Sequence, residues 1–130
     1  MYLDANFFIF AKFSEERKGM RAREILQSII SGRRAVTSVL AIDEAMWVLR
    51  KEGWNTVLRA FVEEIYGMRN LDVREVPALV PLRALDFIER YNLRPRDAFH
   101  VAIMEEFGMN EIVTDDADFD KVKTITRIPL

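Results

Sequence analysis

The acids whose positions could let them do chemistry together are Asp4, Glu44, Asp97 and one of the cluster Asp115, Asp116 and Asp118. Asp4 ends the apolar opening "MYLD", and Asp115, Asp116 and Asp118 follow the apolar run "EIVT". Asp97 lies in the first turn of an expected helix, where the helix dipole favours an anion. Glu44 is spaced by three or four from Leu40, Trp47 and Val48, which puts it on the apolar stripe of its helix. Asp43 instead shares a face with Arg50 and is expected in solvent. Each acid has an ordinary alternative: Asp97 can simply start its helix, and Glu44 can pair with an arginine. If they converge, electrostatics narrows the choice. Two carboxylates ~4 Å apart repel by about 1 kcal/mol in water and roughly 4 kcal/mol at an effective dielectric near 20. Several together require a cation. With no cysteine and only His100 as a histidine, the donors are hard oxygens, which suit Mg²⁺ or Mn²⁺ rather than zinc. Such an ion polarises a phosphoryl oxygen and acidifies a bound water, so the chemistry indicated is metal-assisted phosphodiester hydrolysis.

These acids must be positioned by the elements around them. "MRAREILQSIIS" reads as a helix with Met20, Ile25, Leu26, Ile29 and Ile30 on one stripe. "RAVTS" reads as a strand ending at Thr37 or Ser38. "VLAIDEAMWVLRK" reads as a helix with Ser38 as N-cap and Gly53 near its end. "NTVLRAFVEEIYG" is a further helix and "DVREVP" a strand; "PLRALDFIERYN" and "RDAFHVAIMEEFG" are helices introduced by Pro81 and Pro95. "EIVT", a short helical turn in "ADFDKV" and the strand "KTITRI" complete the chain. Strands alternating with helices argue for an α/β fold: a three-layer α/β/α sandwich around a mainly parallel sheet. Ligands bind such sheets beyond the carboxyl ends of the strands, where the strand order reverses. Asp4 and the acids of residues 115–118 are expected at that edge.

Composition removes competing classes. The 130 residues fit one domain, and 50% hydrophobic content excludes disorder. A net charge of −2 lacks the footprint of a non-specific duplex binder, so a nucleic-acid partner would have to meet a local basic rim. No apolar run approaches the ~18–20 residues of a membrane span. The N-terminus has no signal-peptide pattern, and the expected location is the cytoplasm. Neither a phosphate-cradling glycine loop nor a nucleophile–histidine–acid arrangement is visible. His100, one turn after Asp97, is expected to be a packing residue, and Trp47, Phe87, Phe99 and Phe107 to be core rather than base-stacking platforms. Trp54 suits a surface or dimer contact. Arg94 and Arg96 flank Asp97, where they either contact RNA phosphates or pair with the acids.

In order and spacing, "YLDANFFI", "VTSVLAIDEAMWVL", "LRPRDAFHVAI" and "EIVTDDADFDKV" resemble a PIN domain, and within that family the VapC-type toxins of prokaryotic toxin–antitoxin modules. The resemblance runs from residue 2 to about residue 127. It implies one PIN-like nuclease domain over residues 1–130, with Asp4, Glu44, Asp97 and Asp116 catalytic and metal-binding and Asp118 as a further metal ligand. Asn6, Ser38 and Thr114 fall on its supporting positions. It further implies a Mg²⁺- or Mn²⁺-dependent ribonuclease that forms a homodimer and is held inactive by a small antitoxin. A PIN-type RNA-processing nuclease without an antitoxin, or a non-catalytic binding module, would share the fold.

Overall fold

The computed structural model describes residues 1–130. The elements are β1 (Tyr2–Leu3), α1 (Ala5–Phe13), α2 (Arg17–Ile30), β2 (Ala35–Ser38), α3 (Val39–Lys51), α4 (Leu58–Tyr66), β3 (Leu71–Arg74), α5 (Val80–Tyr91), α6 (Pro95–Glu106), β4 (Glu111–Val113) and β5 (Thr126–Ile128). Short 3₁₀ turns at Asn55–Val57 and Ala117–Lys121 lead into α4 and follow β4.

The five strands form one sheet in the order β3-β2-β1-β4-β5, and every neighbouring pair is parallel. Tyr2 is in register with Val36 on one side and Ile112 on the other. The chain winds outward from β1 through β2 to β3, then returns to the opposite side of β1 to lay down β4 and β5. The order therefore reverses between β1 and β4, and the loops leaving these two strands part to opposite faces, opening a crevice.

Side chains alternate across a strand, so β1 feeds both layers. Leu3 joins a core with Phe7, Phe8, Ile25, Ile29, Ile42, Leu49, Phe61 and Ile65, from α1 to α4. Tyr2 joins the opposite core with Val80, Ala84, Val101, Ile103, Met104 and Phe119, chiefly from α5 and α6. The result is the three-layer α/β/α sandwich expected from the alternation of elements.

Two local readings change. Helix α1 is absent from the sequence-based element order; its segment "ANFFIFAKF" is apolar on nearly every side and carries no clear helical period. Tertiary burial of Ala5, Phe7 and Phe8 selects the helix. In α2 the buried face is Gly19, Ala22, Ile25 and Ile29, whereas Met20 and Ile30 are exposed. The stripe turns because α1 and α2 approach backbone to backbone at Gly19. There the Ser14 carbonyl also accepts a hydrogen bond from Arg23 Nη1 at 2.7 Å. A Cβ at position 19 would lie 1.9 Å from the Ser14 carbonyl oxygen. Gly19→Ala should therefore destabilise the fold by ~1–3 kcal/mol or more through overpacking, read as a lower denaturation midpoint with an unchanged slope.

Candidate active site

At the carboxyl end of β1 the Asp4 carboxylate is buried and held by three donors. It accepts from the Ala5 backbone N–H at 2.7 Å, capping α1, from Asn6 Nδ2 at 2.9 Å and from Thr114 Oγ1 at 2.7 Å. Thr114 Oγ1 in turn accepts from Asn6 Nδ2 at 2.9 Å and from the Asp116 backbone N–H at 3.1 Å. Asn6 Oδ1 accepts from the Asp115 N–H at 3.2 Å. This network spans the crevice between β1 and β4 and fixes where the chain turns after each. Ser38 caps α3 through the Ala41 N–H at 3.3 Å.

Helix α3 brings Glu44 to the same place, although not from its buried stripe. That stripe is Ala41, Ile42, Ala45 and Leu49, and Glu44 lies at its edge with Leu40 and Val48, its side chain 15% exposed. Trp47 departs further from expectation: it is 53% exposed and lies outside the core. Its spacing from Leu40 marks the rim of the helix's apolar face, which periodicity alone does not separate from the centre. Phe87, Phe99 and Phe107 are half-buried against the α5–α6 core.

His100, expected from the sequence to be a packing residue, is indeed only 2% exposed. Its ring nevertheless faces the acids. Nε2 lies 3.2 Å from Glu44 Oε2 and 3.7 Å from Asp4 Oδ1. Nδ1 is 2.8 Å from the Tyr2 hydroxyl, which is 2.7 Å from Ser38 Oγ. Burial by itself lowers the imidazole pKa, but the Glu44 hydrogen bond and the charges of Asp4, Glu44 and Asp97 outweigh it, so the net shift is upward. When protonated, His100 is an internal counter-charge to the acids. Burial holds the Tyr2 phenol neutral by raising its pKa. The i, i+3 spacing of Asp97 and His100 places the imidazole on the face of α6 that carries Asp97, the one sequence signal that it faces the acids.

Asp97, Asp116 and Asp118 form a second group, with one oxygen from each within 4.8 Å of the others. Burial, and then the neighbouring Asp116 charge, raise the Asp97 pKa to about 6. The three acids at this turn separate clearly. Asp115 points away and pairs with Lys18 at 2.6 Å. Asp116 takes the cap of the 3₁₀ turn, accepting from the Asp118 N–H at 2.8 Å. Asp118 is held by Lys121 at 2.7 Å and Arg94 at 3.2 Å. Arg96 Nε lies 3.8 Å from Glu44 Oε1.

Asp4, Glu44, Asp97, His100 and Asp116 line one cleft of about 220 Å³, walled by Asn6, Ile9, Trp47, Val48 and Arg96. Two buried carboxylate oxygens in it, Glu44 Oε1 and Asp97 Oδ2, have no hydrogen-bond donor. A buried acceptor without a donor is costly, and carboxylate oxygens with unmatched acceptors, beside a single imidazole, fit a divalent cation.

Comparison with known proteins agrees with this architecture. The family model for the PIN domain matches residues 1–125, and the chain belongs to the PIN domain family. Among solved structures, Mycobacterium tuberculosis VapC20, a Sarcin–Ricin loop cleaving toxin, is similar with a TM-score of 0.78 at 18% identity, over 94% of each chain. DNA-bound VapBC from Salmonella typhimurium gives a TM-score of 0.73 at 19% identity, over 98% of this chain and 96% of that one. A toxin–antitoxin complex from Klebsiella pneumoniae gives 0.68 at 17%, over 96% and 94%. No curated protein sequence matches the chain.

The raised Asp97 pKa has a definite consequence for stability. Between pH ~4 and about 6 the folded state binds more protons than the unfolded state, so the Asp97 contribution falls as pH rises through this window. In EDTA, Asp97→Asn should therefore gain stability over wild type at pH 7.5 and show no such gain at pH 4. Denaturant midpoints of both proteins at the two pH values read this directly.

Proposed function

We propose that this protein is a Mg²⁺- or Mn²⁺-dependent ribonuclease that acts in the cytoplasm as the toxin of a toxin–antitoxin pair. The observation that carries the reading is the meeting of Asp4, Glu44, Asp97 and Asp116 in one cleft at the sheet's reversal point, with two buried carboxylate oxygens lacking a donor. Asp4, Glu44, Asp97 and Asp116 would hold the cation, and Asp118 would complete the set. Bound there, the ion supplies Lewis-acid polarisation of a phosphoryl oxygen and acidifies the attacking water. The chain's own residues supply the rest. Ala5, Asn6 and Thr114 hold Asp4 in one orientation, and His100 holds Glu44 in one rotamer. Arg94 and Arg96 are 75% and 58% exposed, so their carboxylate contacts leave most guanidinium N–H groups free for a phosphate.

VapC20 is a Sarcin–Ricin loop cleaving toxin, the Klebsiella relative is a toxin–antitoxin complex and the Salmonella one a DNA-bound VapBC; these likenesses support RNA as the substrate and an antitoxin as the partner. An acidic cleft on a chain of net charge −2 is suited to a basic side chain from such a partner. We also assign a homodimer, as the family resemblance implies.

Metal should stabilise the fold, because it offsets carboxylate repulsion that exists only in the native state. At ~100 times the dissociation constant the gain is about 2.7 kcal/mol. An equal melting temperature in saturating Mn²⁺ and in EDTA would argue against the site.

The acidic turn after Thr114 gives a sharper test. Asp116→Asn should lose nearly all RNA cleavage with little loss of stability, and Asp118→Asn should lose part of it. Asp115→Asn, whose side chain meets Lys18 instead of the cleft, should cut like wild type. Normal cleavage by Asp116→Asn would sink the assignment.

A further inference from the structure

Trp47 is a large aromatic side chain that the core does not use. It is 53% exposed, yet it lines the same cleft as Asp4, Glu44, Asp97 and Asp116. Ile9 and Val48 continue the apolar wall beside it. Two cations attend the ring: Lys51 Nζ lies 5.3 Å and Arg96 Cζ 5.9 Å from its centroid. The other exposed tryptophan, Trp54, packs its ring on Phe13 at 4.5 Å and does not line the cleft.

An exposed indole with an ammonium and a guanidinium over its ring matches the chemistry of single-stranded nucleic-acid binding: an incoming base takes the ring face and the displaced cations take the neighbouring phosphates. Its position relative to the acids is fixed by α3. Glu44 and Trp47 are one helical turn apart, which places their Cβ atoms ~5–6 Å from each other, within the span of one nucleotide. A phosphodiester seated at the acids would therefore have a flanking base beside the indole.

We infer that Trp47 is a stacking platform for the base next to the scissile phosphate. The inference rests on the ribonuclease reading and adds a positioning residue to it. Trp47 touches no acid through a hydrogen bond, and its role is to hold the strand in register while the carboxylate cluster acts on the phosphate. Stacking is tolerant of base identity, so Trp47 contributes affinity and register and not sequence choice.

The test uses the Trp54→Phe protein, in which Trp47 is the sole indole. In EDTA, a mixed-sequence single-stranded oligoribonucleotide should quench its fluorescence, and the same strand in a duplex should not. With Mg²⁺, Trp47→Ala should raise KM roughly 5- to 150-fold, the range that ~1–3 kcal/mol per stacked base implies, with kcat little changed. Trp47→Phe should restore most of the loss. An abasic residue beside the cut site should abolish the difference between wild type and Trp47→Ala. If the protein cuts RNA and Trp47→Ala has an unaltered KM, stacking is overturned while the nuclease reading stands; the exposed indole then belongs to a protein contact. If wild type neither binds nor cuts RNA, the nuclease reading fails and this inference fails with it.

Discussion

Carboxylate crowding at the reversal point of the sheet is the constraint to which most of the molecule's polar structure responds. Four acids line one cleft, and a fifth, Asp118, has an oxygen within 4.8 Å of those of Asp97 and Asp116. Their repulsion opposes folding, and the surrounding residues offset it in three ways. Hydrogen-bond donors take the charge of Asp4, chiefly from Thr114, Asn6 and the first amide of α1. A buried imidazole faces Glu44 and Asp4. Arg94, Arg96 and Lys121 close on Asp118 and Glu44 from the solvent side. Among the buried oxygens, what these leave without a donor is confined to Glu44 Oε1 and Asp97 Oδ2, and burial, followed by repulsion from Asp116, raises the Asp97 pKa.

The same network ties the two halves of the sheet together. Thr114 Oγ1 donates to Asp4 and accepts from Asn6 and Asp116, so the residues that close β1 and β4 are cross-linked by side chains at the point where the strands' loops diverge. Tyr2 extends the linkage inward. Its hydroxyl joins Ser38, the cap of α3, to His100 on α6, so a single buried phenol sets the approach of the two helices that carry Glu44 and Asp97. Site geometry and helix packing are the same set of contacts. The rim is built differently: it is exposed, cationic and aromatic, where the floor is buried and anionic. That contrast suits a polyanion whose phosphate is drawn to the floor only when a cation is there to receive it.

Much of this architecture is legible in the order of residues. The α/β alternation, the cap at Ser38, the prolines opening α5 and α6, and the placement of Asp4 and Asp116 just past strand ends all follow from local rules of period, capping and strand termination. The absence of cysteine and the single histidine leave carboxylate oxygens as the main donors available to a metal site. Helix α1 is hidden because a sequence apolar on every side has no period to detect. The rotation of the buried face in α2 is hidden because it depends on a backbone contact at Gly19 that only the partner helix creates.

The sequence by itself thus determined the residue types, the order of elements apart from α1, and the edge of the sheet at which the acids would gather, because each depends on neighbours within a few positions. Tertiary structure alone decided which acid meets which partner. Asp115 and Asp116 are adjacent in sequence, yet one turns to Lys18 and the other to the cleft, since a turn splays successive side chains. His100 passes from packing residue to counter-charge, and Trp47 from core to rim, for the same physical reason. A helix's period says which residues share a face, but only the elements packed against that face decide which of them are buried, which are paired and which are left to meet a ligand.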